Sequence, residues 1–185
     1  AYVGPGLGGY LQRLAEKLGA NGLSAPVLVM QSTGGVLPLD HAVNHAVGSV
    51  TSGPAGGAMA GALFARLGGE RHLVTYDMGG TSTDICLIED GAPLERQSTQ
   101  LDEVKIAVSA LDISALGAGG GSIAWIDPGG ILDLGPHSAG AVPGPACYGR
   151  GGERPTLTDA NLVLGLIAPD TFLGGRLALD ATLAH

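Results

Sequence analysis

The chain has 185 residues, with 33 Gly and 11 Pro, about twice the usual share of that pair; yet it has no Gly-X-Y period, and 45% apolar content is too much for a disordered low-complexity chain. Nine basic against 17 acidic residues give a net charge of −8, with no Lys/Arg cluster to track a phosphate backbone, so nucleic-acid binding is not expected. Only 14% of residues are charged, against about 25% in a typical soluble domain, which fits either an unusually Gly- and Ala-faced chain or a piece of something larger.

The length suits one average domain or parts of two. No run of about 18 uncharged apolar residues is present, so no membrane span is expected. Ala1-Tyr2-Val3-Gly4-Pro5 shows no basic region followed by an apolar core, so no signal peptide is expected, and the missing initiator Met fits an internal segment or a processed product. Cys86 and Cys147 have no Cys/His neighbours at metal-finger spacing and read as free thiols of a reducing cytoplasm.

In chain order, Leu7, Tyr10, Leu11, Leu14 and Leu18 recur at helical spacing, and Gly19 with Asn21-Gly22 stops the run. Pro26 opens a short strand, Val27 to Met30. Ser32 to Gly35 form a turn, and a weak helix is expected from Leu39 to about Val47. A second helix runs from Ser52, its expected cap, past Pro54 to about Ala65. Gly57 and Gly61 leave one stripe of that helix almost bare, which fits a tight backbone contact, a helix passing between two lobes, or both.

His72 to Met78 and Asp84 to Glu89 read as strands, and the Asp90-Gly91 hairpin signal leads into a third, Ala92 to Gln97. Lys105 to Val108 is another short strand. Ile123 to Asp127 and Ile131 to Leu134 form a second hairpin around Pro128-Gly129-Gly130. From Gly135 to Pro155 the chain is a long Gly/Pro-rich loop of the kind that is functional or packed as an Ω-loop. A final helix opens at Thr156 or Thr158, with Asp159 in its first turn, and ends at Pro169.

The sharpest chemical feature is Asp77-Met78-Gly79-Gly80-Thr81-Ser82-Thr83-Asp84, between two apolar strands. Gly79 and Gly80 let backbone amides converge on an anion, and Thr81, Ser82 and Thr83 add hydroxyl donors. Asp77 and Asp84 are placed to serve a hydrated Mg²⁺, and Asp84 alternatively to orient a nucleophile. The competing reading is a hairpin with polar turn residues. Gly117 to Ser122, including Gly119 and Gly120, fits equally a loop that admits nucleotide or substrate and plain tight packing. His137 and Cys147 lie in the long loop and read as structural. His41 and His45 are four apart but lack the Glu of a zincin motif, and His72 reads as an ordinary surface position.

The Asp77 to Asp84 segment resembles the signature of the hydantoinase/oxoprolinase family, A-type subunit. So do Ser52 to Ala58, Gly117 to Ala124, Gly135 to Gly149 and Pro155 to Asn161, in the family's order along nearly the whole chain. The resemblance implies an α/β chain with an actin-like ATPase fold, two ribonuclease-H-like lobes around a nucleotide cleft. On this reading residues 1–70 are the end of the first lobe and the Gly-rich connecting helix, and residues 71–185 start the second. It also implies ATP and Mg²⁺ as cofactors. The activity would be phosphorylation of an amide oxygen that drives ring opening of a hydantoin or 5-oxoproline, or ketone carboxylation in related enzymes; the alternative is a non-catalytic fragment or module that serves assembly with other subunits. A B-type subunit or domain, a small cyclic amide and an oligomeric state complete the expectation. Gly79, Gly80, Thr81, Ser82, Thr83, Gly119 and Gly120 would bind the nucleotide. Asp77 and Asp84 would be catalytic and hold the metal. The family's earlier Asp-x-Gly-Gly-Thr loop and later adenosine segment are absent from these 185 residues, so the chain resembles a central portion. Within the resemblance, His137 and Val142 stand where Arg and an acidic or polar residue are expected, which argues against a charge-based role for that loop.

Overall fold

A computed structural model of the chain describes residues 3–101 and 104–185. Contacts divide the chain into two compact units, Ala1–Thr75 with Ile85–Ser114, and Tyr76–Asp84 with Ala115–His185.

The first unit begins with helix α1 (Val3–Ala20), followed by a hairpin of β1 (Leu28–Met30) and β2 (Val36–Pro38). β2 departs from the sequence reading, in which the chain passed from a turn straight to a helix. Gly34, at φ +81°, turns the chain, and Gln31 N–H closes it on Gly35 O at 2.8 Å. Helix α2 (Leu39–Asn44) ends at His45, and Ala46–Ser49 form a 3₁₀ turn, so the weak helix is shorter than expected. Helix α3 (Ser52–Gly68) is capped at Thr51, whose carbonyl accepts from Ala55 N–H; Ser52 is its first residue and not its cap.

Helix α3 buries Ala55, Ala58, Ala62 and Ala65 against Cys86, Ile88, Leu111 and Ile113, the core of this unit. Small residues let the helix lie close. A Cβ on Gly61 would overlap Thr75 Cγ2 on strand β3 (Leu73–Met78), so the bare stripe is a close-packing device at this point. Strand β4 (Thr83–Glu89) follows, and Asp90 and Gly91 both adopt positive φ, 52° and 80°, in the expected tight turn.

The expected third strand breaks into β5 (Ala92–Pro93) and β6 (Glu95–Arg96). Leu94 N–H donates to Leu87 O while Leu94 O accepts from Asp112 N–H, so the chain changes partners at that residue. β5 pairs with β4, and β6 pairs with β9 (Ala110–Leu111), after the small hairpin of β7 (Thr99–Leu101) and β8 (Val104–Ile106). β10 (Ile113–Leu116) completes a sheet of order β10-β4-β3, with β5 on β4. The chain passes between the units within β3, β4 and β10.

The second unit carries the hairpin of β11 (Ser122–Ile126) and β12 (Leu132–Ser138), which takes up the first residues of the expected long loop. After a 3₁₀ turn at Ala146–Tyr148 comes helix α4 (Leu157–Val163). It stops before Pro169 because Gly165, at φ +72°, makes a C-terminal cap: Gly165 N–H bonds Leu162 O, and Leu166 N–H bonds Asn161 O. Cys147, Leu162 and Leu179 form the core of this unit, and α5 (Ala181–Ala184) closes the chain. The architecture is α/β, as expected. No described helix is long and apolar enough to cross a membrane.

Candidate functional site

The site is built on residues 79–82, where β3 hands over to β4. Gly79 N–H donates to Ser82 O at 2.8 Å and closes the loop. Among the described residues the amides of Gly80, Thr81 and Ser82 have no protein acceptor, and the Thr81 hydroxyl has no partner. The second Gly-rich segment lies directly on this loop. Gly120 N–H donates to Gly79 O at 2.9 Å and Gly121 N–H to Gly80 O at 2.7 Å. A Cβ on Gly119 would stand 2.6 Å from Ser82 N and 2.7 Å from Gly79 O and Thr81 N, so only glycine fits there.

Thr83, grouped with the phosphate ligands from the sequence, is buried at 1% exposure, and its hydroxyl donates to Ala118 O at 2.6 Å. Its single hydroxyl hydrogen is thereby committed to holding the second segment against the first. Gly119 likewise faces loop backbone, whereas Gly120 lies both in the ladder and on the wall of a cavity.

A third layer fixes this ladder. Thr158 donates to Gly120 O twice, from its amide and from its hydroxyl, both at 2.8 Å. Thr156 caps α4, and Asp159 completes a capping box. The Asp159 carboxylate is 2% exposed and accepts from Thr156 N at 2.9 Å, Thr156 Oγ1 at 2.7 Å, Cys147 N at 2.8 Å and Ala146 N at 3.3 Å. Burial favours its neutral form, but the donors from Cys147 and Thr156 outweigh burial and hold its pKa below the usual carboxylate range. Sequence reasoning identified the cap but not this clamp on residues 146–147, which joins groups 12 or more positions apart.

The loop residues Gly79, Gly80 and Thr81 open on a cavity of about 560 Å³ that also meets Gly120, Tyr148 and Arg150. That is the size of a small-molecule site. Asp77 is exposed and Asp84 half-buried at the two ends of the loop. Burial, and next the charge of Asp77, raise the pKa of Asp84 above the ordinary carboxylate value. Neither carboxylate has an ion-pair partner among the described residues. Two neighbouring carboxylates with no cation beside them suit Mg²⁺, which takes one or two carboxylates and completes its shell with water and phosphate oxygens. No cluster of three or more His, Cys, Asp or Glu side chains suited to a metal occurs among the described residues.

The remaining sequence candidates lie outside this arrangement. His137 is an exposed residue of β12 and does not line the cavity. Cys147 is fully buried, and burial together with Asp159 pushes its thiol up to about 12, which leaves it inert as a nucleophile.

The model of the family described as Hydantoinase/oxoprolinase matches residues 1–185. The chain belongs to the hydantoinase/oxoprolinase family. It is 42% identical to caprolactamase subunit alpha of Pseudomonas jessenii over 184 residues, 100% of this chain and 26% of that protein. The crystal structure of ATP-dependent caprolactamase from the same organism superposes with a TM-score of 0.76 at 38% identity, over 100% of this chain and 27% of that one. 5-Oxoprolinase 1 of Arabidopsis thaliana is 42% identical over 174 residues, 93% of this chain and 13% of that protein. A nucleotide-free structure of acetone carboxylase matches with a TM-score of 0.77 at 28% identity, over 94% of this chain and 24% of that one. The chain thus spans about a quarter or less of the length of these relatives.

Proposed function

We propose that this member of the hydantoinase/oxoprolinase family contributes the phosphate-binding part of an ATP-dependent enzyme that opens a cyclic amide. The observation that carries the reading is the Gly79-Gly80-Thr81 loop, with unpartnered amides at Gly80 and Thr81, on a cavity of ligand size and bracketed by two unpaired carboxylates. The ATP dependence of the caprolactamase it resembles supports the same reading.

In this reading Gly80, Thr81 and Ser82 present backbone and hydroxyl groups to the phosphates, while Gly79, whose amide closes the loop on Ser82 O, lets the backbone come close, with Gly120 on the facing wall. Thr83 and Gly119 hold the loop in shape. Asp77 and Asp84 hold Mg²⁺, which when bound neutralises phosphate charge. The protein's part in phosphoryl transfer is positioning and electrostatic stabilisation, with the lactam oxygen as the acceptor. Phosphorylation turns a poor electrophile into one that water opens. The wider assembly is an actin-like A-type subunit with residues 1–70 and 71–185 contributing to its two lobes, working in the cytoplasm with a B-type subunit or domain in an oligomer.

The test is Asp77→Ala in the complete A-type protein. Turnover of ATP with a candidate lactam is expected to fall at least 100-fold, about 3 kcal/mol of transition-state stabilisation. Turnover within a few-fold of wild type would remove the metal role. A second reading, ATP-dependent ketone carboxylation, is favoured by the match to acetone carboxylase. Assaying the same protein with ketone plus bicarbonate against lactams separates the two by product.

A further inference from the structure

The cavity beside the phosphate loop has a second wall with a distinct chemistry. Among the described residues that line it, Arg150 carries the only formal charge. No carboxylate lies within ion-pair distance of it among the described residues, unlike Arg71 and Arg96, which pair with Asp90 and Asp112. Its guanidinium sits over the Tyr148 ring, 5.9 Å from the centroid, a placement that orients the group without neutralising it. Tyr148 is itself braced by Phe172 at 5.7 Å between ring centroids.

The backbone that delivers Arg150 is fixed from several sides. The Asp159 carboxylate binds the amides of Ala146 and Cys147, Cys147 O accepts from Asp180 N–H at 2.9 Å, and Tyr148 N–H bonds Pro145 O at 3.1 Å. Gly149 and Gly151, at φ +65° and +91°, turn the chain on either side of the arginine. The same Asp159 capping box belongs to α4, whose Thr158 holds Gly120 on the phosphate loop. One buried carboxylate therefore supports both the arginine segment and the glycine ladder. Asn161, also on the wall, has a side chain with no partner among the described residues.

We infer that Arg150 is a phosphate-binding residue of this site, its guanidinium meeting from one wall the nucleotide phosphate that the amides of Gly80 and Thr81 hold from the other. The inference rests on the nucleotide reading above and adds a residue to it. An unpaired, preoriented guanidinium in a chain of net charge −8 suits a multiply charged oxyanion, which its planar fork grips through two hydrogen bonds. It also supplies a cation to the loop in which His137 stands where the resemblance expects Arg.

The experiment uses the complete A-type protein as wild type, Arg150→Gln and Arg150→Lys, with melting temperatures taken first. Calorimetry gives Kd for Mg·ATP and for inorganic tripolyphosphate, and kinetics give KM for ATP and for a lactam. Arg150→Gln is expected to weaken both phosphate ligands at least tenfold, with Arg150→Lys between it and wild type, because the charge returns without the fork. Binding of both ligands within twofold of wild type, or a loss confined to the lactam KM, overturns the inference. If wild type binds tripolyphosphate through Arg150 but never turns over ATP, the arginine's role stands and the enzymatic reading falls. If wild type binds neither ligand, both fall.

Discussion

Asp159 is the residue on which the candidate site turns, although it does not itself line the cavity. A carboxylate at 2% exposure survives burial here because four donors surround its two oxygens. The folded-state pKa is depressed, so the carboxylate stabilises the fold above the unfolded-chain value near 4, and that contribution is lost as pH falls through the lower folded value. Asp159→Asn must place an amide NH₂ against donors whichever way it turns, since both carboxylate oxygens accept. The expected cost is about 1–3 kcal/mol at pH 7. Urea denaturation of wild type and variant at pH 7 and pH 3 checks this: the difference should shrink in acid. An equal difference at both values would show that the donors do not depend on the charge.

At the scale of elements, the glycines divide by what stands behind them, and the sequence cannot tell which does what. Gly119 and Gly117 both lie in one Gly-rich run and neither has positive φ. A Cβ at Gly117 meets nothing within 4 Å, while one at Gly119 strikes three backbone atoms of residues 79–82. Gly119→Ala is therefore expected to lose about 2 kcal/mol by overpacking, and to weaken Mg·ATP binding by displacing the loop. Gly117→Ala should change stability by less than about 0.5 kcal/mol. Thermal melts and nucleotide titrations of the pair check both, and equal behaviour would mean that the two loops do not bear on each other. Local chemistry was legible: the Asp90-Gly91 turn, the second hairpin and the Thr156 cap all rest on residues a few positions apart. What escaped the sequence depends on long-range pairing. The third strand splits because Leu94 answers both Leu87 and Asp112, and Arg150 reaches the phosphate-loop cavity only through a clamp and ladder joining residues 79 to 159.

At the scale of the whole molecule, the low charge of the sequence meets exposed apolar side chains on both units: Phe64 is 71% and Leu67 73% exposed on α3, Ile131 67% and Leu132 70% at the β11–β12 turn, and Leu164 71% and Leu166 73% after α4. With only 9 basic and 17 acidic residues to keep such faces apart, association is the cheaper state in water. The 185 residues alone are therefore expected to self-associate and to bind an apolar dye. They should also give no measurable heat with Mg·ATP, because the resemblance places the opposing phosphate loop and the adenosine segment in parts of the family outside this stretch. Sedimentation velocity, dye fluorescence and calorimetry on the isolated chain, set beside the complete A-type protein, make the comparison. A monomer without dye binding that takes Mg·ATP at micromolar Kd would show instead that the glycine ladder, the two carboxylates and Arg150 suffice for a nucleotide site.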